Sequence, residues 1–274
     1  MIWCFVMGLA LAIAETSVFA FGLILFIAQL AAHGIGFWLG RRGATRQANP
    51  EAVGVIVGGM LGLLAFVLAL TLSFANSRFS EHRQGSVTEA NAIGTAWLRA
   101  KAVGNARGDA IASLLEDYVQ VRADFVRANR DPAAIDALNQ RSNAIQSQMW
   151  GHLSAIVREQ PNPVSAALMS ALNDTFDAGT SERFAYYITL PPQLFWLLIG
   201  MTLLSMGCLG YQFGLKKQAS IVLIVVLTAM WTWVIIEILD LASARLGYIR
   251  TGTAVYDWTI QGFKGGVNIP PLPR

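Results

Sequence analysis

Four long apolar stretches, grouped as two closely spaced pairs, constrain the fold of this chain more than any other feature. They cover residues 16–39, 52–74, 192–213 and 219–236. Each is close to the ~20 residues that an α-helix needs to cross ~30 Å of hydrocarbon. We therefore predict an all-α fold: a polytopic membrane protein with four transmembrane helices.

Charge is scarce and unevenly distributed. Charged residues make up 14% of the chain, against ~25% in soluble domains, and most lie in the polar middle at 76–190, where the two signs nearly balance. No basic run with interleaved aromatic residues occurs there, so nucleic acid is not an expected partner. Cys4 and Cys208 lie in apolar segments, which favours neither a disulfide nor a metal site. No cofactor is predicted.

The polar middle has the periodicity of helices. Apolar residues such as Ile111, Leu115 and Tyr118 recur at steps of three and four. Asp131 and Asn162 each precede a proline, as N-cap residues do. No proline follows residue 74 until well beyond residue 102, so the second membrane helix is expected to continue to about that point.

These patterns divide the chain into four parts. Residues 1–75 hold the N-terminal segment and the first two spans, and 76–190 form an extramembrane antiparallel helical bundle. Residues 191–240 hold the last two spans, and 241–274 are a C-terminal tail. Residues 1–14 are apolar, too short to span and end in small residues. Three interpretations stay open for them: a cleaved signal segment, an extension of the first helix, or a segment that lies at the membrane interface.

Loop charges predict the orientation, because short cytoplasmic loops are enriched in Lys and Arg. Arg41, Arg42 and Arg46 follow the first span, and Lys216 and Lys217 follow the third. Both loops should therefore be cytoplasmic, which places the bundle on the non-cytoplasmic side of the plasma membrane. The basic residues of the tail favour the opposite orientation.

Three segments resemble one known family. "RFSEHRQGSVTEANAIGTAWLRA" follows the second span, "LPPQLFWLLIG" opens the third, and "ILDLASARLGYIR" ends the fourth. They are similar to the bacterial bestrophin-like membrane proteins in order and spacing. The residues that carry the resemblance are Arg78, Phe79, Arg83, Glu89, Ala90, Pro191, Pro192, Asp240, Gly247 and Arg250. The family's Asp-Arg-Pro turn is replaced here by Asp240 and Leu241.

The resemblance implies a function. Bestrophins are oligomeric anion channels with four spans and a helical domain between the second and third, although that domain is cytoplasmic. We therefore expect a homo-oligomeric ion channel or pore of the bacterial inner membrane, lined by the second transmembrane helix and its extension. Its partners would be the lipid bilayer, other copies of the chain and small ions. The alternative is a non-conducting, membrane-anchored sensor or scaffold whose bundle binds a partner.

An enzyme is not expected, since the sequence has no HExxH, GxSxG or P-loop motif. No catalytic residue is therefore predicted. The absence of a P-loop also excludes an ATP-driven pump on this chain alone.

Polar residues within or beside the spans are the candidate functional residues, because ionisable groups in a membrane are rare. The candidates for a pore or its mouth are Glu15, Asn76, Glu89, Asn91, Thr95, Glu237 and Asp240. Acidic rings favour cations, which conflicts with the anion selectivity of bestrophins. The alternative is structural: the acids pair with Arg78 or Arg83, and Glu89 and Arg99 hold the bundle together.

Small residues mark one face of the second span. Gly54, Gly58 and Gly62 are four apart, a spacing that lets helices approach closely in lipid. Helix packing is the favoured interpretation of these glycines. The alternative is a pore lining, in which small side chains leave room for the pore.

Gln29 and His33 are four apart in the first span, where they are expected to form hydrogen bonds across a helix pair or face a polar cavity.

Overall fold

A computed structural model of the chain describes residues 17–43, 50–187, 191–217, 220–245 and 247–266. These residues form eight α-helices and no strand. The helices are α1 Val18–Gly43, α2 Pro50–Ala102, α3 Ala106–Arg127, α4 Pro132–Glu159, α5 Pro163–Tyr187, α6 Pro192–Lys216, α7 Ile221–Ala242 and α8 Ala254–Lys264. Residues 1–14, whose three interpretations stay open, lie outside the described residues.

Four helical stretches are long and apolar enough to cross a membrane. They are Val18–Gly43, Glu51–Ala102, Pro163–Lys216 (which contains α5 and α6) and Ile221–Ala242. The predicted all-α membrane protein with four candidate spans is therefore confirmed. The predicted continuation of the second span is confirmed too, since α2 has 53 residues and is ~80 Å long at 1.5 Å per residue.

The chain divides into two compact units. The first comprises Met1–Phe79 with Thr189–Ile249, and the second comprises Ser80–Ile188 with Arg250–Arg274. The first unit thus contains α1, α6, α7 and the beginning of α2. The second contains the rest of α2 with α3, α4, α5 and α8.

Glycines bring α1 and α6 into close contact in the first unit. A Cβ atom on Gly36 would overlap the carbonyl oxygen of Gly207, and one on Gly210 would overlap that of His33. Gly40 and Gly214 continue this contact one turn further along both helices. Because residue numbers rise together on the two sides, α1 and α6 run parallel. Small residues at this spacing are the usual means of close helix packing in lipid.

The rest of the first unit packs around this pair. Its buried core includes Phe21, Leu25, Leu64, Leu68, Phe195, Met206, Ile235 and Ile238. A polar contact joins α1 to α7 within it: Gln29 Nε2 donates to Thr232 Oγ1 at 2.9 Å. The expectation that Gln29 bonds across a helix pair is therefore confirmed.

The second unit is a helical bundle whose helices begin where the sequence predicts. The Asp131 side chain accepts a hydrogen bond from the Ala133 N–H, and the Asn162 side chain accepts one from the Ser165 N–H. Both predicted N-caps are thereby confirmed. The core of the bundle includes Ile93, Trp97, Ile111, Leu115, Tyr118, Phe125, Met149, Leu153, Leu168 and Leu172.

The C-terminal residues contribute more than the predicted tail. Helix α8 packs in the second unit, with Tyr256 fully buried in the core. Arg127 Nη2 donates to Asp257 Oδ1 at 2.8 Å, and Arg250 Nη1 donates to Asn129 Oδ1 at 3.1 Å. The segment folds because Tyr256, Ile260 and Phe263 recur at helical spacing and together cover apolar surface of the bundle.

Replacing Gly210 by alanine tests the close contact between α1 and α6. The added methyl group meets the backbone of His33, which cannot rotate away, and overpacking of this kind costs about 1–3 kcal/mol. We expect a lower melting temperature for the purified protein in mild detergent. Gly200→Ala in the same helix is the control, since no described atom lies within 4 Å of its Cβ position. Equal melting temperatures for the two variants would contradict the packing.

Candidate functional site

A buried ion pair occupies the centre of the second unit. Arg122 on α3 donates through Nε to Glu89 Oε1 and through Nη2 to Glu89 Oε2, both on α2. Tyr256 Oη on α8 donates to Glu89 Oε2 at 2.6 Å. Arg122 Nη2 also donates to the carbonyl oxygen of Gly179 on α5, at 3.3 Å. Four helices therefore meet at one pair of charges.

The buried pair is stable only because nearly all of its donor and acceptor groups form hydrogen bonds. Glu89 and Arg122 are both 0% exposed, and burying a charge costs several kcal/mol unless its partners are in good geometry. Bidentate Arg–carboxylate contacts are the strongest available, and the Arg122 guanidinium also lies 4.6 Å from the Phe125 ring centroid. Burial and the charge of Glu89 raise the pKa of Tyr256, which keeps its hydroxyl a hydrogen-bond donor.

Tyr118 adds a second layer to this cluster. Its hydroxyl accepts a hydrogen bond from Gln146 Nε2 on α4 at 3.0 Å. A Cβ atom on Gly179 would lie 2.6 Å from Tyr118 Oη and 3.0 Å from Glu89 Oε1, so only glycine leaves room for both groups. Burial, with the charge of Glu89, raises the pKa of Tyr118 to about 12.

Glu182 on α5 is a second buried carboxyl group beside the pair. Its Oε1 accepts a hydrogen bond from Ser86 Oγ at 2.8 Å, while Oε2 has no hydrogen-bond partner among the described residues. Gly85 makes room for it, because a Cβ atom there would overlap Oε2. Burial raises its pKa to about 7; the charge of Glu89 acts in the same direction, and the Ser86 bond and Arg122 oppose it. This group therefore changes charge near neutral pH.

The structure places two predicted residues inside the bundle. Glu89 is buried in the ion pair, so its carboxylate is not exposed to a pore or its mouth within the single chain. Arg99 Nη1 donates to the carbonyl oxygen of Ala167 at 2.7 Å. Both residues therefore make the polar bundle contacts that the structural alternative describes. The sequence does not identify Arg122 as the partner of Glu89, because the two residues are 33 positions apart.

Asn91 and Thr95 remain exposed on α2. They line a groove of about 430 Å³ that also includes Gly94, Gly262 and Phe263 of the same unit. Their neutral polar side chains are therefore accessible, as a role in a vestibule requires.

The carboxylate of Asp240 organises the end of α7. It is buried and accepts hydrogen bonds from the backbone N–H groups of Tyr248, at 3.0 Å, and Ile249, at 3.4 Å. A Cβ atom on Gly247 would overlap it. The carboxylate of Asp240 thus holds the loop that follows α7. Glu237 is half-buried, and Glu15 lies outside the described residues.

The two arginines proposed as structural partners lie on α2. The Arg78 guanidinium is 5.7 Å from the Phe74 ring centroid, a cation–π contact within the helix. Arg83 is exposed, nearly two turns before the helix reaches Glu89.

The three glycines of α2 differ from one another in their surroundings. A Cβ atom on Gly54 would lie 2.8 Å from Gln212 Nε2 of α6, so this glycine does contact another helix. No described atom lies within 4 Å of the Cβ positions of Gly58 and Gly62. Within one chain these two residues face open space, because the close helix contact is made by α1 and α6 instead.

An exposed stripe of small side chains continues from these glycines. In the first unit it consists of Gly58, Gly62, Ala65, Ala69, Ser73 and Asn76, all exposed and spaced three or four apart. In the second unit α2 exposes Ser80, Gln84, Thr88, Asn91 and Thr95 at the same spacing. We call these residues the α2 stripe. It contains no charged and no large apolar side chain.

Metal ligation finds no support in this geometry. No group of three or more His, Cys, Asp or Glu side chains within the described ranges is placed to hold an ion.

Replacing Glu89 by glutamine tests the central ion pair. The variant leaves the Arg122 charge buried without its counter-ion, and breaking such a pair costs about 3–5 kcal/mol. We expect a large fall in melting temperature or loss of folded protein. The matched control is Glu159→Gln, which removes the exposed pair with Arg107 (2.9 Å) and should cost less than about 1 kcal/mol. Similar shifts for both variants would refute a central role.

The pKa of Glu182 predicts a pH dependence of stability. The folded protein keeps the proton up to about pH 7, whereas an unfolded glutamate releases it near 4.5. The resulting stabilisation is full below 4.5 and is lost as the pH rises through 7, by about 3 kcal/mol in all. We expect Glu182→Gln to flatten the fall in melting temperature across this window. The exposed Asp136→Asn should leave the profile unchanged, and an unaltered profile in Glu182→Gln would contradict the assignment.

Comparison with known proteins places the chain in a family. No curated protein matches its sequence. A crystal structure described as that of a membrane protein is 13% identical, with a TM-score of 0.58 over 89% of this chain and 96% of that chain, and it is therefore similar in fold. The family model of the Bestrophin-like domain matches residues 3–243. Because this match covers most of the sequence, the chain belongs to the Bestrophin-like family.

Proposed function

We propose that this protein is the subunit of a homo-oligomeric ion channel of the bacterial inner membrane, with α2 lining the axis. The observation that carries the proposal is the α2 stripe. Membership of the Bestrophin-like family supports it, since bestrophins as a class are ion channels. No catalytic role is proposed.

The composition of the α2 stripe suits a pore better than a lipid contact. Polar side chains at membrane depth generally face a bundle interior or a water-filled cavity, yet Ser73 and Asn76 are exposed in the single chain. Other exposed residues of the same helix, Leu63, Leu70 and Phe74, are large and apolar and lie off the stripe. Copies of the chain arranged around an axis would turn the stripe inward and these residues toward lipid.

The parallel packing of α1 and α6 supports the orientation predicted from loop charges. Both helices end in basic residues, Arg41 and Arg42 on α1 and Lys216 on α6. Because the helices run parallel, these residues lie at the same end of the first unit. We therefore propose that this end is cytoplasmic and that the bundle lies on the other side, in contrast to the cytoplasmic domain of bestrophins.

An unpaired apolar stripe on the outside of the bundle would favour the alternative of a sensor or scaffold. Large exposed apolar side chains among the described residues of the second unit are Leu98, Trp150, Val164, Met169, Phe184, Tyr187 and Trp258. Of these, Phe184 and Tyr187 alone share one helix at helical spacing. Singly scattered apolar residues are normal on protein surfaces, and the channel is the better supported function.

Bulky residues on α2 test the proposal. Ala69 lies on the stripe, while the adjacent Leu70 is exposed on another face. We expect Ala69→Phe to lower ion flux into proteoliposomes roughly tenfold or more, because pore diameter limits conduction. Leu70→Phe, which adds a ring facing lipid, should conduct normally.

Mass photometry in nanodiscs completes this experiment. A symmetric ring of three or more copies is expected for the unmodified protein and for both variants. A monomer without flux above that of empty liposomes would refute the proposal, as would equal flux in the two variants.

A further inference from the structure

We propose that the first unit binds an anionic phospholipid at the end where α1 and α6 terminate. An apolar groove between α1, α2 and α6 would take an acyl chain, and the basic residues beside it would hold the headgroup. This inference does not depend on the protein conducting ions.

The groove has the size and lining of an acyl-chain site. Its volume is about 480 Å³, within the ~300–1,000 Å³ usual for small-molecule sites. Leu39, Ile56, Leu204, Cys208 and Tyr211 are among its lining residues. Leu39, Ile56 and Leu204 are also exposed on the outer surface, so the groove opens sideways, as a site filled from the bilayer must.

A cluster of four cations lies at one end of the groove. Arg41 and Arg42 end α1, and Lys216 and Lys217 end α6; all four are exposed. The two pairs are neighbours, because a Cβ atom on Gly214 would lie 2.9 Å from the backbone nitrogen of Arg41. Leu39 of the groove lies within one helical turn of Arg41 and Arg42, and Tyr211 lies about one and a half turns before Lys216 and Lys217. A molecule in the groove would therefore have one end among them.

The four cations carry more positive charge than is needed to offset the partial negative charges at the C-termini of α1 and α6. The C-terminus of a helix carries about −0.5 of a unit charge, so α1 and α6 together need about one cation to offset them. Glu51, in the first turn of α2, offsets one more. The remaining charge, about two units or more, favours an anion at this end.

Aromatic side chains mark the level at which a headgroup would lie. The Arg42 guanidinium lies 3.6 Å from the centroid of the Trp38 ring, and Tyr211 places its hydroxyl beside Gly43. Trp and Tyr concentrate where hydrocarbon meets the headgroups. An apolar groove that ends at an aromatic and basic rim matches one amphipathic ligand, a phospholipid with a negative headgroup.

Native mass spectrometry of the delipidated full-length protein tests this assignment. The probes are phosphatidylglycerol and phosphatidylcholine with identical acyl chains, together with inorganic phosphate. We expect phosphatidylglycerol to bind roughly tenfold more tightly than phosphatidylcholine, because only its headgroup is anionic. The double variant Arg41→Gln/Lys216→Gln should abolish this preference. Arg141→Gln/Lys264→Gln, which removes two exposed cations of the bundle, is the charge-matched control.

A second variant separates the groove from the charges. Cys208→Phe fills the groove, so it should weaken the binding of both phospholipids while leaving the protein folded. Leu223→Phe, at an exposed position of α7, is its control. Equal binding of the two lipids, or an unchanged preference in the charge variant, would overturn the proposal. So would competition by inorganic phosphate alone.

The remaining occupant to test is a second copy of the chain. With Cys4 replaced by serine, Cys208 is the single thiol. Efficient cross-linking of two copies through Cys208 by a short bifunctional maleimide would show that protein covers the groove and would overturn the lipid assignment. Labelling by a monofunctional maleimide that phosphatidylglycerol protects against, without cross-linking, is the expected result.

Discussion

The extramembrane bundle depends on the buried ion pair between Glu89 and Arg122. Glu89 and Arg122 bring α2 and α3 together, Gly179 of α5 accepts a third hydrogen bond, and Tyr256 of α8 donates a fourth. An unpaired charge at this depth would cost more than most single contacts contribute. The arrangement therefore selects one packing of these helices among the many that their apolar faces would allow.

Sequence reasoning recovered what local patterns determine. Hydropathy over about twenty residues identifies the spans, and the absence of proline predicts the length of α2. The N-caps at Asp131 and Asn162 are likewise local signals. The contacts of the candidate site are long-range by contrast. Glu89 and Tyr256 are 167 residues apart. The residues next to Glu89 in the sequence do not indicate its partner, and those next to Glu182 do not indicate that it is buried.

Glycine illustrates the same limit. The spacing of Gly58 and Gly62 is as suitable for packing as that of Gly36 and Gly40, yet among the described residues only the second pair meets another helix. A spacing of four between glycines indicates that one face of a helix lacks large side chains. The tertiary structure determines what packs against that face. Here one smooth face joins α1 to α6, and the other is left for water, lipid or another copy.

The position of Tyr256 also bears on how the protein is made. Ribosomes add about 5–20 residues per second, so Tyr256 emerges roughly 10–30 s after Glu89. The spans α6 and α7 are synthesised during that interval, and Glu89 has no Tyr256 hydroxyl to bond until both have been made. The core of the bundle can therefore be completed only after the last span has been synthesised.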